Sequence, residues 1–120
     1  MDRLGGVLSE LRKFVSKREW AQFHDPKNLA MAVASEAGEL LAEYRWVSNS
    51  AADAWSEDPG NRARVSAEVA DVGIALLLLC DRIGVDLVDE IRCKIRVNSV
   101  NYPAATARGK ASRPSPTRRH

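Results

Sequence analysis

The sequence is short of the residues that most often build sites of their own. Only two cysteines, Cys80 and Cys93, occur in 120 residues, with no CxxC spacing and no histidine beside either. They read as buried, reduced thiols, which excludes a disulfide scaffold and a thiolate zinc site. Neither histidine, His24 or His120, has a glutamate three residues ahead of it, so the Glu-x-x-His pairs of di-iron bundles are excluded. Long apolar runs are missing as well. The run from Val72 to Cys80 falls far below the roughly 18 to 20 residues of a membrane span. The opening residues MDRLGGVLSELRKF lack the apolar stretch of a secretory leader. A cytoplasmic protein without membrane contact is expected.

Strand signal is scarce too, because the β-branched residues never alternate with polar ones for long, and no internal repeat is present. An all-α fold follows. Hydrophobic residues at 45% and charged residues at 28% suit one soluble domain with a packed core.

The formal charge of +2 is unevenly placed. Residues 104–120 carry Arg108, Lys110, Arg113, Arg118 and Arg119 and no acid. Without them, residues 1–103 hold 13 basic against 16 acidic side chains, a net of about −3. The basic character belongs to a Pro-, Ser- and Arg-rich tail, expected to be flexible, and not to a nucleic-acid groove. The domain is therefore expected over 1–103.

Four main helices are expected. The first covers Val7 to Phe23, with Leu8, Leu11, Phe14 and Val15 at helical spacing and Ser16 to Glu19 facing water. Asp25 then caps a second, with Pro26 at its first position, that runs to about Trp46. Val47 to Asn61 reads as a loop with one short turn, from which Trp55 packs back. The third helix spans Arg62 to Ile83 and stops at Gly84. Its segment Ile74 to Cys80 is wholly apolar, hence central and suited to facing another subunit. The fourth, Leu87 to Asn101, follows Asp86 and halts before Pro103.

On the second helix Glu36, Glu39 and Glu43 fall within about 60° of one another. Glu68 and Asp71 repeat the three-residue spacing on the third. Surface glutamates commonly have Lys or Arg three or four residues away, but Asn28 to Tyr44 contains no basic residue. Asp71 directly precedes the most apolar stretch of the chain. Carboxylates crowded in this way repel one another unless a cation sits among them. Oxygen donors without imidazole or thiolate select Mg²⁺, Mn²⁺ or Ca²⁺, and Mg²⁺ usually completes its shell with water and substrate phosphates.

These residues carry a resemblance. REWAQFHDPKNLAMAVASEAGELLAEYRW, then EVADV, then KIRVNSVNYP and ARGKA are similar to the MazG-like all-α NTP pyrophosphohydrolases, most closely their dCTP pyrophosphatase branch. The match covers about Leu11 to Lys110. The family's ExxE…ExxD motif corresponds to Glu36, Glu39, Glu68 and Asp71, with 28 residues between the pairs. The resemblance implies a four-helix bundle assembled as a dimer or tetramer, with sites formed between subunits. It implies that the four carboxylates bind Mg²⁺, with Mn²⁺ as a substitute, and cleave a nucleoside triphosphate to monophosphate and pyrophosphate. It implies further that Trp20 to His24 and Trp46 form the pocket for base and sugar, and that Lys94, Asn98 and Tyr102 reach the triphosphate or sugar. The chain departs from that branch at Leu11, where a histidine is common, and at Ala75, where an aromatic is common; both fall near the expected base pocket. The alternative is a helical metal-binding or protein-interaction module that does no chemistry.

Overall fold

The computed structural model describes residues 2–111, all of whose regular elements are helical. The order is α1 (Arg3–Lys17), a 3-10 turn (Trp20–Phe23), α2 (Pro26–Tyr44), a second 3-10 turn (Asn49–Ala51), α3 (Ala52–Glu57), α4 (Pro59–Ile83), α5 (Leu87–Asn101) and α6 (Ala104–Ala107). The chain divides after Gly84 into two compact units. No helix among the described residues is long and apolar enough to cross a membrane. Arg113, Arg118 and Arg119 of the basic tail lie outside the described residues, while Ala104–Ala107 within the expected tail forms one helical turn.

In the first unit the main packing is α2 along α4, with α1 and α3 also resting on α4. The two long helices run antiparallel: Arg64 near the start of α4 reaches Glu43 near the end of α2, and Leu29 near the start of α2 shares a hollow with Leu78. Both begin with the same device. Asp25 accepts the Asn28 N–H at 2.9 Å, and Asp58 accepts the Asn61 N–H at 3.2 Å, each with proline at the first helical position. Each asparagine amide then donates backwards, Asn28 to the Phe23 carbonyl at 3.1 Å and Asn61 to the Trp55 carbonyl at 3.0 Å. The sequence Asp-Pro-x-Asn thus ties a helix start to the turn before it, satisfying donors that the first turn leaves open.

The expected first helix, Val7 to Phe23, is corrected. It begins earlier, at the Asp2 cap, and ends at Lys17. Glu19 adopts the left-handed conformation, φ 53°, after which Trp20–Phe23 continue as a 3-10 turn. Arg18 folds back to make the break: its guanidinium lies 3.7 Å from the Phe14 ring centroid and donates to the Phe14 carbonyl at 3.0 Å. Trp20 completes the cluster edge-on to Phe14, with 5.6 Å between centroids.

The expected loop from Val47 to Asn61 is also corrected, since α3 occupies Ala52–Glu57 and α4 starts three residues earlier than Arg62. Trp55 does pack back, 5.1 Å from the Tyr44 ring, whose hydroxyl bonds Ser56 at 2.7 Å. Helix α4 ends as expected at Gly84, whose φ of 73° suits glycine and whose N–H caps the Cys80 carbonyl.

Among the described residues the buried apolar side chains are Val15, Leu29, Ala75 and Cys80. Cys93, expected to be buried, is exposed on α5. Met31, Leu41, Val69, Ile74 and Ile83 of the first unit leave much apolar surface uncovered. In the second unit α5 is capped by Asp86, which accepts the Asp89 N–H at 3.0 Å, and ends at Tyr102 before Pro103. Ile91, Ile95 and Val100 on α5 are likewise exposed.

Candidate metal centre

The antiparallel packing of α2 on α4 places two pairs of carboxylates, each spaced by three residues, face to face. Ligand oxygens of Glu36, Glu39 and Glu68 lie within 4.8 Å of one another. Glu36 and Glu68 are half-buried, and Oε2 of each is enclosed without a hydrogen-bond partner. Glu39 is exposed between them and within hydrogen-bonding reach of both. Asp71 lies just outside this set of three, exposed, and bears on it through its charge.

The electrostatics follow from this crowding. Burial first, then the charge of Glu39, raises the Glu36 carboxyl above its ordinary range, with Asp71 and Glu68 adding to the effect. Glu68 is raised by burial, then by Glu39, Asp71 and Glu43. Glu43 has a cation of its own: Arg64 Nε donates to it at 3.2 Å, while Arg64 Nη2 is held by Asn61 Oδ1. Arg64 is thus committed to Glu43 and Asn61, and Oε2 of Glu36 and of Glu68 has no hydrogen-bond partner. Two enclosed oxygens lacking donors, in an all-carboxylate set, fit a hard divalent cation.

Beside the carboxylates is a hollow of about 290 Å³ whose lining includes Glu36 and Asp71. Its body is apolar, formed by Leu29, Ala32, Ile74, Ala75 and Leu78, and its polar groups are His24 and Asn28. The hollow thus combines two of the four carboxylates with apolar side chains, an imidazole and an amide.

A crystal structure of a pyrophosphatase from Archaeoglobus fulgidus matches this fold with a TM-score of 0.80 at 33% identity, covering 86% of this chain and 94% of that one. The chain belongs to the MazG-like all-α pyrophosphohydrolase family. Relatives named dCTP pyrophosphatase 1 are 37% identical over 111 residues in Bos taurus and 35% identical over 106 residues in Homo sapiens. These alignments cover 88% and 85% of this chain but 64% and 62% of the relatives, so the chain spans less than two thirds of their length. No family profile matches the chain.

The other residues singled out in this MazG-like sequence are distributed unevenly. His24 lines the hollow. Trp20 packs on Phe14 and does not line it, while Trp46 is 89% exposed beside Arg45 and borders a separate hollow with Glu43 and Trp55. Lys94, Asn98 and Tyr102 belong to the second unit, where Lys94 and Asn98 are exposed on α5 and Tyr102 is its half-buried cap. Phe23, inside the expected Trp20 to His24 stretch, lines the hollow with His24, whereas sequence reasoning missed Asn28, which also lines it, and the Arg64 partner of Glu43. The signal for Asn28 was present in the repeated Asp-Pro-x-Asn, at residues 25–28 and 58–61.

Proposed function

We propose that the chain is a Mg²⁺-dependent nucleoside triphosphate pyrophosphohydrolase. It converts a (d)NTP and water to a (d)NMP and pyrophosphate, acting in the cytoplasm on a dCTP-like or modified pyrimidine deoxynucleotide to clean the nucleotide pool. The observation that carries this reading is the convergence of Glu36, Glu39 and Glu68 from two helices, with two enclosed oxygens left without donors. The names of the relatives, dCTP pyrophosphatase 1, support the substrate class.

Glu36, Glu39, Glu68 and Asp71 would hold Mg²⁺, or Mn²⁺ in its place. When bound, the cation supplies the positive charge that draws in triphosphate oxygens and offsets the negative charge developing at the reacting phosphorus. Glu39, exposed between its two neighbours, orients the attacking water and accepts its proton. The water oxygen forms the new bond to the α-phosphorus as the bond to the bridging oxygen breaks, and pyrophosphate leaves with that oxygen. His24 and Asn28 meet the nucleoside in the apolar hollow. Trp20 and Trp46 supply stacking faces, and Lys94, Asn98 and Tyr102 serve the triphosphate and sugar.

The exposed apolar residues of α2, α4 and α5 support a homo-oligomer, a dimer or tetramer, in which a second copy covers them. The reaction is tested by incubating the protein with deoxy- and ribonucleoside triphosphates and Mg²⁺, with an EDTA control, and separating products by ion exchange. Mg²⁺-dependent monophosphate and pyrophosphate are expected. No turnover of any nucleotide, with Mg²⁺ still bound, would instead favour a module that does no chemistry.

A further inference from the structure

We propose that Arg64 is a positioning residue: by holding Glu43 it keeps that carboxylate out of the shell of a cation bound at Glu36, Glu39 and Glu68, and so favours Mg²⁺ over larger divalent ions. The inference rests on the metal-dependent reading above. Glu43 follows Glu39 by one turn on α2, and Arg64 precedes Glu68 by one turn on α4. In the antiparallel pair they form the next rung beyond the cluster, about 6 Å along the helix axes. Glu43 is not among the three carboxylates whose oxygens converge, yet its charge bears on Glu68. A fifth carboxylate thus stands beside the set of four.

Helical side chains lean toward the start of their own helix. On α2 that direction carries Glu43 toward Glu39, whereas on α4 it carries Arg64 away from Glu68 and toward Asn61. The bonds agree: Arg64 Nε donates to Glu43 Oε1 at 3.2 Å, and Arg64 Nη2 donates to Asn61 Oδ1. Asn61 is itself fixed, its N–H by the Asp58 cap and its amide by the Trp55 carbonyl at 3.0 Å. The guanidinium therefore ties Glu43 to a helix cap and restrains it from moving onto the cluster. Mg²⁺ keeps a compact octahedral shell with several waters, whereas Ca²⁺ accepts more oxygens in a looser one. A released Glu43 adds a donor that Ca²⁺ takes up readily and that Mg²⁺ accepts only by giving up water. Loss of the Arg64 charge by itself would draw in both ions alike, because they carry the same charge. The ratio of the two affinities separates these effects.

The test is calorimetric titration of Mg²⁺ and of Ca²⁺, each alone and without nucleotide, into the wild type, Arg64→Ala, Arg64→Lys and the double variant Arg64→Ala with Glu43→Ala. The Arg64 side chain is 56% exposed, so its replacement should leave the fold intact. Arg64→Ala should raise the Ca²⁺-to-Mg²⁺ affinity ratio by about tenfold, and the added Glu43→Ala should return it to the wild-type value. Arg64→Lys keeps the charge but cannot fork between Glu43 and Asn61, so it should move the ratio less and in the same direction. An unchanged ratio in Arg64→Ala, including parallel tightening of both ions, would overturn the inference, as would a ratio that stays raised in the double variant. If Arg64→Ala fails to fold, Arg64→Lys decides. Failure of the metal reading looks different: the wild type itself would bind neither ion, which overturns both.

Discussion

Oε2 of Glu36 on α2 and Oε2 of Glu68 on α4 are both enclosed and both lack a hydrogen-bond donor, with the Glu39 carboxylate within reach of each side chain. An acceptor left in this state costs stability, so the metal-free fold carries a penalty that a bound cation removes. Such a site trades stability for function.

Glu36→Gln and Glu68→Gln should therefore raise the melting temperature of the metal-free protein, because each replaces a crowded carboxylate with a neutral amide. The same variants should lose most of the stabilisation that Mg²⁺ gives the wild type, and turnover should fall by about a thousandfold or more. Thermal melts with and without Mg²⁺ check the first two outcomes, and circular dichroism should show unchanged helicity.

The pH dependence of the metal-free protein has a definite sign. Glu36 and Glu68 are raised above their ordinary 4.5, so between that value and the raised one the folded state holds more protons than the unfolded state. Stability then falls as pH rises through the window. Mg²⁺ competes with those protons, so its affinity should rise over the same range. Denaturant melts across mildly acidic pH should show the decline without Mg²⁺ and a weaker one, or none, with it.

Asn28 and Asn61 close equivalent helix starts, but only Asn28 lines the hollow beside the carboxylates. Asn28→Ala should release the Phe23 carbonyl, loosen the turn that carries His24, and raise KM by about tenfold. Removing the other cap, by Asp58→Ala, should cost about 1 kcal/mol of stability. Steady-state kinetics on both variants separate the two effects, since Asp58→Ala should leave KM nearly unchanged.

Leu29, 4% exposed, is one of the few buried apolar side chains among the described residues. Leu29→Ala should destabilise the protein by about 2 to 5 kcal/mol, measured by urea unfolding.

Much of this was legible in the sequence where local chemistry decides the outcome. The Asp25-Pro26 start, the Asp86 cap and the Gly84 stop appear in the structure at the expected residues. The ExxE and ExxD spacing anticipates which helix faces carry carboxylates, and the structure brings three of the four into one cluster, with Asp71 beside it. The break at Arg18–Glu19 was not legible, because no glycine or proline marks it and the apolar spacing runs on in phase. It depends on Arg18 folding over Phe14, a contact that no propensity records. The start of α4 was obscured because Asp58-Pro59-Gly60 reads as a turn, although Asn61 completes the same pattern as Asn28. Trp20 and Trp46 look alike as stacking residues, and only packing distinguishes the one against Phe14 from the one facing outward.

The most direct measurement is hydrolysis of dCTP with Mg²⁺ in ¹⁸O-enriched water, with products analysed by mass spectrometry for the wild type and Glu39→Ala. The account predicts one labelled oxygen in the monophosphate, none in pyrophosphate, and loss of both products in the variant. Label in pyrophosphate, release of orthophosphate with a diphosphate, or undiminished turnover by Glu39→Ala would contradict it.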